Sequence, residues 1–206
     1  MNDTSLKDHW NHAWEKQDDT AVSWFQETPE PSLSLVERHA PDRTSAFVDI
    51  GGGASRLVDS LLDHGYCDLT VLDLSGSSLE IARQRLGERA SGVTWIESDV
   101  LDWKPDRRFG VWHDRAAFHF LTAPGDQERY RDLLDRALKP GGILILGTFA
   151  PDGPEKCSGL PVCRHDSATI SRVLGNGYEL VETLAHDHVT PAGRIQHFSY
   201  SVFRRS

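Results

Sequence analysis

The chain has 206 residues, 38% of them hydrophobic, and a formal net charge of −9 at pH 7. That length fits one domain around one core, and the acidic balance disfavours a nucleic-acid partner, which needs a basic footprint for the phosphate backbone. No apolar run approaches the roughly 18 residues of a membrane span, so no membrane association is expected.

The opening, Met1-Asn2-Asp3-Thr4-Ser5-Leu6-Lys7, has no basic segment leading into an apolar one. A cytoplasmic monomer or small homo-oligomer is therefore expected. The three cysteines, Cys67, Cys157 and Cys163, form no CxxC pair, which predicts neither a disulfide framework nor a structural zinc site.

Residues 6–16 predict a helix, with Leu6, Trp10, Ala13 and Trp14 on one face. Thr28-Pro29-Glu30-Pro31 breaks it. Ser32 is placed as the cap of a second helix reaching His39, with Glu37 and Arg38 in its polar part. Residues 1–40 are read as a helical lid on a core spanning 46–206. The three tryptophans Trp10, Trp14 and Trp24 either cover a cationic ligand or pack the lid onto the sheet.

From Ala46 strands and helices alternate: strand 46–50, the glycines Gly51-Gly52-Gly53, a helix through Leu57, Val58, Leu61 and Leu62, strand 69–72, helix 79–86, and strands 93–96 and 109–112. Helix 130–138 ends at Lys139-Pro140-Gly141-Gly142 and leads into strand 143–146. This alternation predicts an α/β fold, a Rossmann-like doubly wound sheet that is mostly parallel. Residues 178–184 and 196–203 form an antiparallel C-terminal hairpin, turned at 189–193. Between them and the fifth strand, 152–165 reads as a long loop and a wall for a ligand.

Asp49-Ile50-Gly51-Gly52-Gly53-Ala54-Ser55 marks a strand-to-helix turn where backbone approaches a ligand closely. Alone it fits a plain turn or a dinucleotide site equally well. Asp73 at the end of the second strand, followed by Leu74, is placed to accept from two ribose hydroxyls. Asp99, within Ser98-Asp99-Val100 after the third strand, is placed to accept from an adenine amino group. Either acid alone has the alternative of capping a helix or turn; the succession at three strand ends is what points to a nucleoside.

With these residues in place, the chain resembles the class I S-adenosylmethionine-dependent methyltransferases. The resemblance rests on Val48-Asp49-Ile50-Gly51-Gly52-Gly53, Asp73, Asp99, Leu138-Lys139-Pro140-Gly141-Gly142 and the terminal hairpin. It implies S-adenosylmethionine as cofactor, with Asp49 orienting the methionine amino group and Trp24, Ser55, Leu74, Ser98, Val100 and His113 around the cofactor. The third glycine, Gly53, departs from the commonest pattern.

The run His113-Asp114-Arg115-Ala116-Ala117-Phe118-His119 crowds ionisable groups at the end of the fourth strand, where open α/β sheets bind ligands. It reads either as an Asp114–Arg115 pair with packing histidines, or as catalytic: His113 or Asp114 beside the transferred methyl, Arg115 and His119 at the substrate entrance. It is similar, with Val22-Ser23-Trp24 and the segments at 157–162 and 188–191, to a group related to the citrate synthase lysine methyltransferase. That implies a protein side chain, possibly lysine, as acceptor. A small metabolite, thiol or metalloid acceptor stays open, as does a cofactor-binding protein without catalysis. A nicotinamide oxidoreductase is disfavoured by Asp99 and the hairpin. Cys157 with Cys163 is read as ordinary loop thiols, and His186 with His188 as a polar rim, in preference to metal ligands.

Overall fold

A computed structural model describes residues 3–15 and 19–206. The first helix, α1 (Asp3–Glu15), is followed by α2 (Ser32–His39), β1 (Phe47–Ile50), α3 (Leu57–Asp63), β2 (Leu69–Asp73), α4 (Gly76–Leu86), β3 (Val93–Glu97) and β4 (Phe109–Arg115). Then come α5 (Pro124–Ala137), β5 (Leu138–Phe149), the short strands β6 (Lys156–Cys157) and β7 (Leu160–Pro161), α6 (Ser167–Leu174), β8 (Tyr178–Val189) and β9 (Ile195–Arg205). Lys16, the last residue of the predicted first helix, lies outside the described residues.

Seven strands form one sheet in the order β3-β2-β1-β4-β5-β9-β8. The first five are parallel, while β9 runs antiparallel to β5 and β8 antiparallel to β9. Side chains alternate across the pleat, so each inner strand feeds two cores. Phe47, Val71, Val111 and Ile145 meet Leu35 and Val36 of α2, Leu57 and Leu61 of α3, and Leu79 of α4. Val48, Leu72, Trp112 and Leu144 meet Tyr130, Leu133 and Leu134 of α5 and Ile170 of α6. Burying each such aliphatic side chain contributes about 1.5–3 kcal/mol, which explains why β1 is buried along its whole length. The order reverses between β1 and β4, and that switch opens a crevice at the carboxyl ends of the strands.

Several sequence boundaries are corrected. Pro31, not Ser32, sits at the N-cap of α2, with no side-chain cap bond; the Ser32 hydroxyl is spent inside the protein. β4 runs on to Arg115, carrying His113 and Asp114 within the strand. α5 starts at Pro124, a residue whose fixed φ suits a first turn. The helix α6 was not foreseen, although Asp166 and Thr169 form a reciprocal capping box at its start. The loop 152–165 contains the β6–β7 hairpin.

Candidate active site

A cleft of 460 Å³ lies over the carboxyl ends of β1, β2, β3 and β4. Trp24, Asp49, Gly51, Gly52, Gly53, Ser55, Asp73, Leu74, Ser98, Asp99, Val100, His113 and Arg115 all line it. Its size falls in the range of small-molecule sites.

The glycine turn makes its floor. Gly51 and Gly53 have φ of +67° and +38°, conformations that side chains disfavour. A Cβ on Gly52 would stand 2.7 Å from Asp49 Oδ2 and 2.8 Å from Val71 Cγ1, so nothing larger fits without displacement. Arg85 of α4 holds the loop from behind: Nη1 and Nη2 donate to the carbonyls of Ala54 and Ser55, each at 2.8 Å, while Nη2 meets Asp59 at 2.6 Å. Nothing in the sequence marked Arg85 for this clamp. Ser55 Oγ accepts from Leu57 N at 3.2 Å and starts α3.

Asp73 Oδ1 accepts from Ser75 N at 2.8 Å. Burial raises its carboxyl to about 6, against the opposing bonds from Ser75 and Ser78. Asp99 Oδ1 accepts from Leu101 N at 2.7 Å and shapes the turn after β3, while Ser98 Oγ donates to the Asp99 carbonyl at 2.9 Å.

On β4 the ionisable residues part company, because alternate residues face opposite sides. His113 joins a buried relay: Nδ1 lies 2.6 Å from Asp49 Oδ1 and Nε2 2.8 Å from Ser32 Oγ. Both ring nitrogens are engaged, so the imidazole ties β1, β4 and α2 together. Asp114 faces the other side, fully buried. Its Oδ1 accepts from the N–H groups of Ala117 and Phe118, both at 3.0 Å, and Oδ2 from Tyr130 Oη at 2.7 Å. Tyr130 Oη in turn accepts from Trp112 Nε1 at 2.8 Å. Burial pushes the Asp114 carboxyl up to about 6. The expectation that Asp114 reaches the transferred group is thus corrected, as is an Asp114–Arg115 pair. The carboxylate fixes the backbone turn that follows β4, where Ala116 takes a φ of +65°.

Arg115 lines the cleft. Its Nε donates to Tyr200 Oη at 3.2 Å, Nη1 donates to the Trp24 carbonyl at 3.1 Å, and its guanidinium lies 4.8 Å from the centre of the Phe198 ring. His119 is fully buried and does not line the cleft, which corrects its placement at the entrance. It packs against Phe149 and Phe120, and burial, then the Arg115 charge, pushes its imidazole down to about 3.

The walls are aromatic. Trp24 lies edge-on to Trp10 and Trp14, with centroids 5.7 and 5.6 Å apart, and Trp10 meets Phe120 at 5.3 Å. Leu6, Trp10 and Trp14 of α1 line the cleft, as do Cys157, Leu160 and Pro161 of the β6–β7 hairpin. Burial pushes the Cys157 thiol up to about 11, so it stays protonated. All three cysteines are free. His188 is buried, not at a rim, and its Nε2 pairs with the Ser23 carbonyl at 2.8 Å.

Residues 47–142 match the family described as a methyltransferase domain. Among curated relatives, the malonyl-[acyl-carrier protein] O-methyltransferase 2 of Ilyobacter polytropus is 22% identical over 58% of this chain and 49% of its own length. The chain thus spans about half of that relative. The EEF1A lysine methyltransferase 2 of Mus musculus is 21% identical over 91% of this chain and 78% of its own. Among solved structures, the N-methyltransferase NodS from Bradyrhizobium japonicum, in complex with S-adenosyl-L-homocysteine, superposes with a TM-score of 0.71 at 18% identity, covering 95% of this chain and 97% of that one. Residues 47–142 thus match a methyltransferase domain, and the seven-stranded sheet has the Rossmann-like fold of the methyltransferase structures it resembles.

Proposed function

We propose that the protein transfers a methyl group from S-adenosylmethionine to an acceptor seated at the β4 end of the cleft. The observation that carries this reading is that every residue picked for the cofactor lines one cavity. Gly51, Gly52 and Gly53 give a floor that a Cβ would fill, so backbone meets the methionine portion directly. Asp73 takes the ribose hydroxyls and Asp99 the adenine edge. Asp49, held by His113, is the carboxylate for the methionine ammonium.

When bound, the cofactor supplies a methyl group on a cationic sulfonium. The chain's own residues contribute position and exclusion of water. Trp10, Trp14 and Trp24 form an aromatic face suited to a sulfonium, and α1, carrying two of them, acts as a lid. The Ser32–His113–Asp49 relay fixes the carboxylate and leaves no imidazole lone pair for proton removal. With Asp114 and His119 turned away from the cleft, the geometry favours an acceptor that arrives as a nucleophile without needing a base there.

That favours a small-molecule acceptor. A lysine side chain is a second reading, favoured by the murine relative that spans most of both chains; its amine must first lose a proton from a pKa of roughly 10.4. The test is incubation with methyl-labelled S-adenosylmethionine and a cell lysate, then separation of protein from small molecules. Label in the small-molecule fraction is expected. Label in protein supports the second reading, and transfer to neither refutes the proposal.

A further inference from the structure

The arginines lining or backing the cleft differ in one respect. Arg56, beside the glycine turn, has Glu27 Oε2 3.8 Å from its Nε and covers the Phe25 ring at 5.3 Å. Arg85 has Asp59 and Asp19. Arg115 makes no ion pair among the described residues: its partners are a phenol, a carbonyl and an aromatic face. Its Nη2 is shielded from water and makes no hydrogen bond.

A guanidinium half-sunk in a protein wall without a counter-ion is costly, because it gives up hydration for neutral partners. The titratable groups around it bear the mark of its charge. Burial first and the Arg115 charge second hold His119, His186 and His188 below their ordinary range. The acids lining the cleft are engaged elsewhere: Asp49 with His113, Asp19 with Arg85, Asp126 with Arg129, Asp73 with the Ser75 amide and Asp99 with the Leu101 amide.

We propose that Arg115 is the anchor for a carboxylate on the acceptor. A planar fork of N–H donors matches a carboxylate, and no second cation joins it on this wall as a phosphate dianion would require. The surrounding Trp24, Phe120, Cys157, Leu160 and Pro161 select an apolar or aromatic body for the same molecule. The acceptor is therefore an apolar carboxylic acid, bound with its charge against β4 and β9. A second source of the same chemistry is the cofactor's own carboxylate, but Arg56 stands closer in sequence to the glycine turn. This inference rests on the reading of the cleft as a methyl-transfer site.

The test saturates the whole chain with S-adenosylhomocysteine and titrates phenylacetate, indole-3-acetate and their primary amides by ligand-observed NMR. At least one acid is expected to bind, with its amide about tenfold weaker or more. Arg115→Gln removes that preference, Arg115→Lys retains part of it, and both keep the affinity for S-adenosylhomocysteine. Acids and amides binding alike, or neither binding to the saturated protein, overturns the anchor. It is also overturned if Arg115→Gln weakens S-adenosylhomocysteine tenfold while leaving 5′-methylthioadenosine, which lacks the carboxylate, unaffected. Arg115→Lys carries the test if Arg115→Gln does not fold. If the unaltered chain fails to bind S-adenosylhomocysteine, the underlying methyl-transfer reading falls instead.

Discussion

The two ends of the cleft are built on opposite principles. At the β1–β3 end, acids stand at successive strand ends and the backbone is stripped to glycine, so hydrogen-bond acceptors and bare main chain face the cavity. At the β4 end, the wall carries Trp10, Trp24 and Phe120, and Arg115 brings a cation to it. Burial raises Asp73 in the first end, and it lowers His119, His186 and His188, which lie outside the cleft lining near Arg115. On the proposed reading, the first end takes a polar nucleoside and an ammonium, and the second an apolar acceptor that brings a negative charge. A single fold accommodates both because β4, at the switch point, sends alternate side chains to different duties.

The largest effect is expected from breaking the seam between the two ends. Asp114→Ala leaves the Ala117 and Phe118 amides and the Tyr130 hydroxyl without an acceptor in a dry core. The cost is roughly 3–5 kcal/mol, a fall in Tm of about 10 °C. Calorimetry should show that loss while affinity for S-adenosylhomocysteine, per folded molecule, stays within about twofold. Asp114→Asn keeps an oxygen for the amides and should lose less. A variant that melts normally but turns over slowly would return Asp114 to the chemistry.

Next comes the cofactor end itself. Asp73→Ala should weaken S-adenosylhomocysteine binding by about 1–3 kcal/mol, the worth of charged hydrogen bonds, with little change in Tm. Isothermal titration measures both it and the contrast with nicotinamide dinucleotide, which should bind far more weakly. An unaltered constant would remove Asp73 from the ribose.

The cofactor end was legible in the sequence for a physical reason. Glycines and acids at strand-to-helix turns are set by local geometry, and strand ends follow from hydrophobic runs, so Asp49, Gly51, Asp73 and Asp99 converge once the sheet is drawn. The other end depends on which way a strand's side chains point and on partners far along the chain. The run from His113 to His119 looked like one catalytic cluster. In the fold, His113 is tied to Ser32, Asp114 to Tyr130, Arg115 to Tyr200 and Trp24, and His119 to a sealed pocket. Nothing local announces Ser32, Tyr130 or Tyr200 as those partners. Ser32 read as a helix cap because serine is a good one, yet tertiary pairing took its hydroxyl. Asp166 and Thr169 mark the start of α6, but its eight residues span about two turns, too short a stretch for a helical period to stand out.

Acid titration separates the two ends by sign. His119 is held near 3 in the fold and ordinarily titrates at 6.5. The unfolded chain therefore takes up the proton first, and stability present above pH 6.5 is lost progressively as pH falls toward 3. Asp73 is raised from 3.8 to about 6, so its burial opposes folding above pH 6 and that penalty fades on acidification. Its service as an acceptor fades in the same window. Because Asp114, also raised to about 6, offsets the His119 loss along with Asp73, the sign is read by difference: below pH 6.5 the melting temperature of His119→Asn should fall less, or rise more, than that of the unaltered chain, while cofactor affinity falls below pH 6 in the unaltered chain and much less in Asp73→Asn. Parallel pH profiles in all three proteins would contradict the division of labour.

The smallest effect concerns α1, which we propose as a lid and which few polar tethers hold in place. Asn11 Oδ1 accepts from the Ser75 hydroxyl at 2.8 Å, which ties the helix to the cap of α4. Lys7 pairs with Glu97 at 2.5 Å, across the end of β3, in an exposed position where screening leaves little energy. Between them Trp10 and Trp14 face the cleft. Asn11→Ala removes one hydrogen bond, worth about 0.5–1.5 kcal/mol, from an element held otherwise by aromatic packing. If α1 covers the cofactor, that loss should appear as a two- to tenfold rise in the S-adenosylhomocysteine dissociation constant. Faster hydrogen exchange along α1 should accompany it, with global Tm unchanged because the sheet does not depend on the helix. Binding energy drawn from the lid would also make the apolar acids of the β4 end bind more weakly, since Trp10 and Phe120 share that wall. Faster exchange with both affinities unaltered would leave α1 as packing alone, and the sulfonium would then depend on Trp24 without help from the helix.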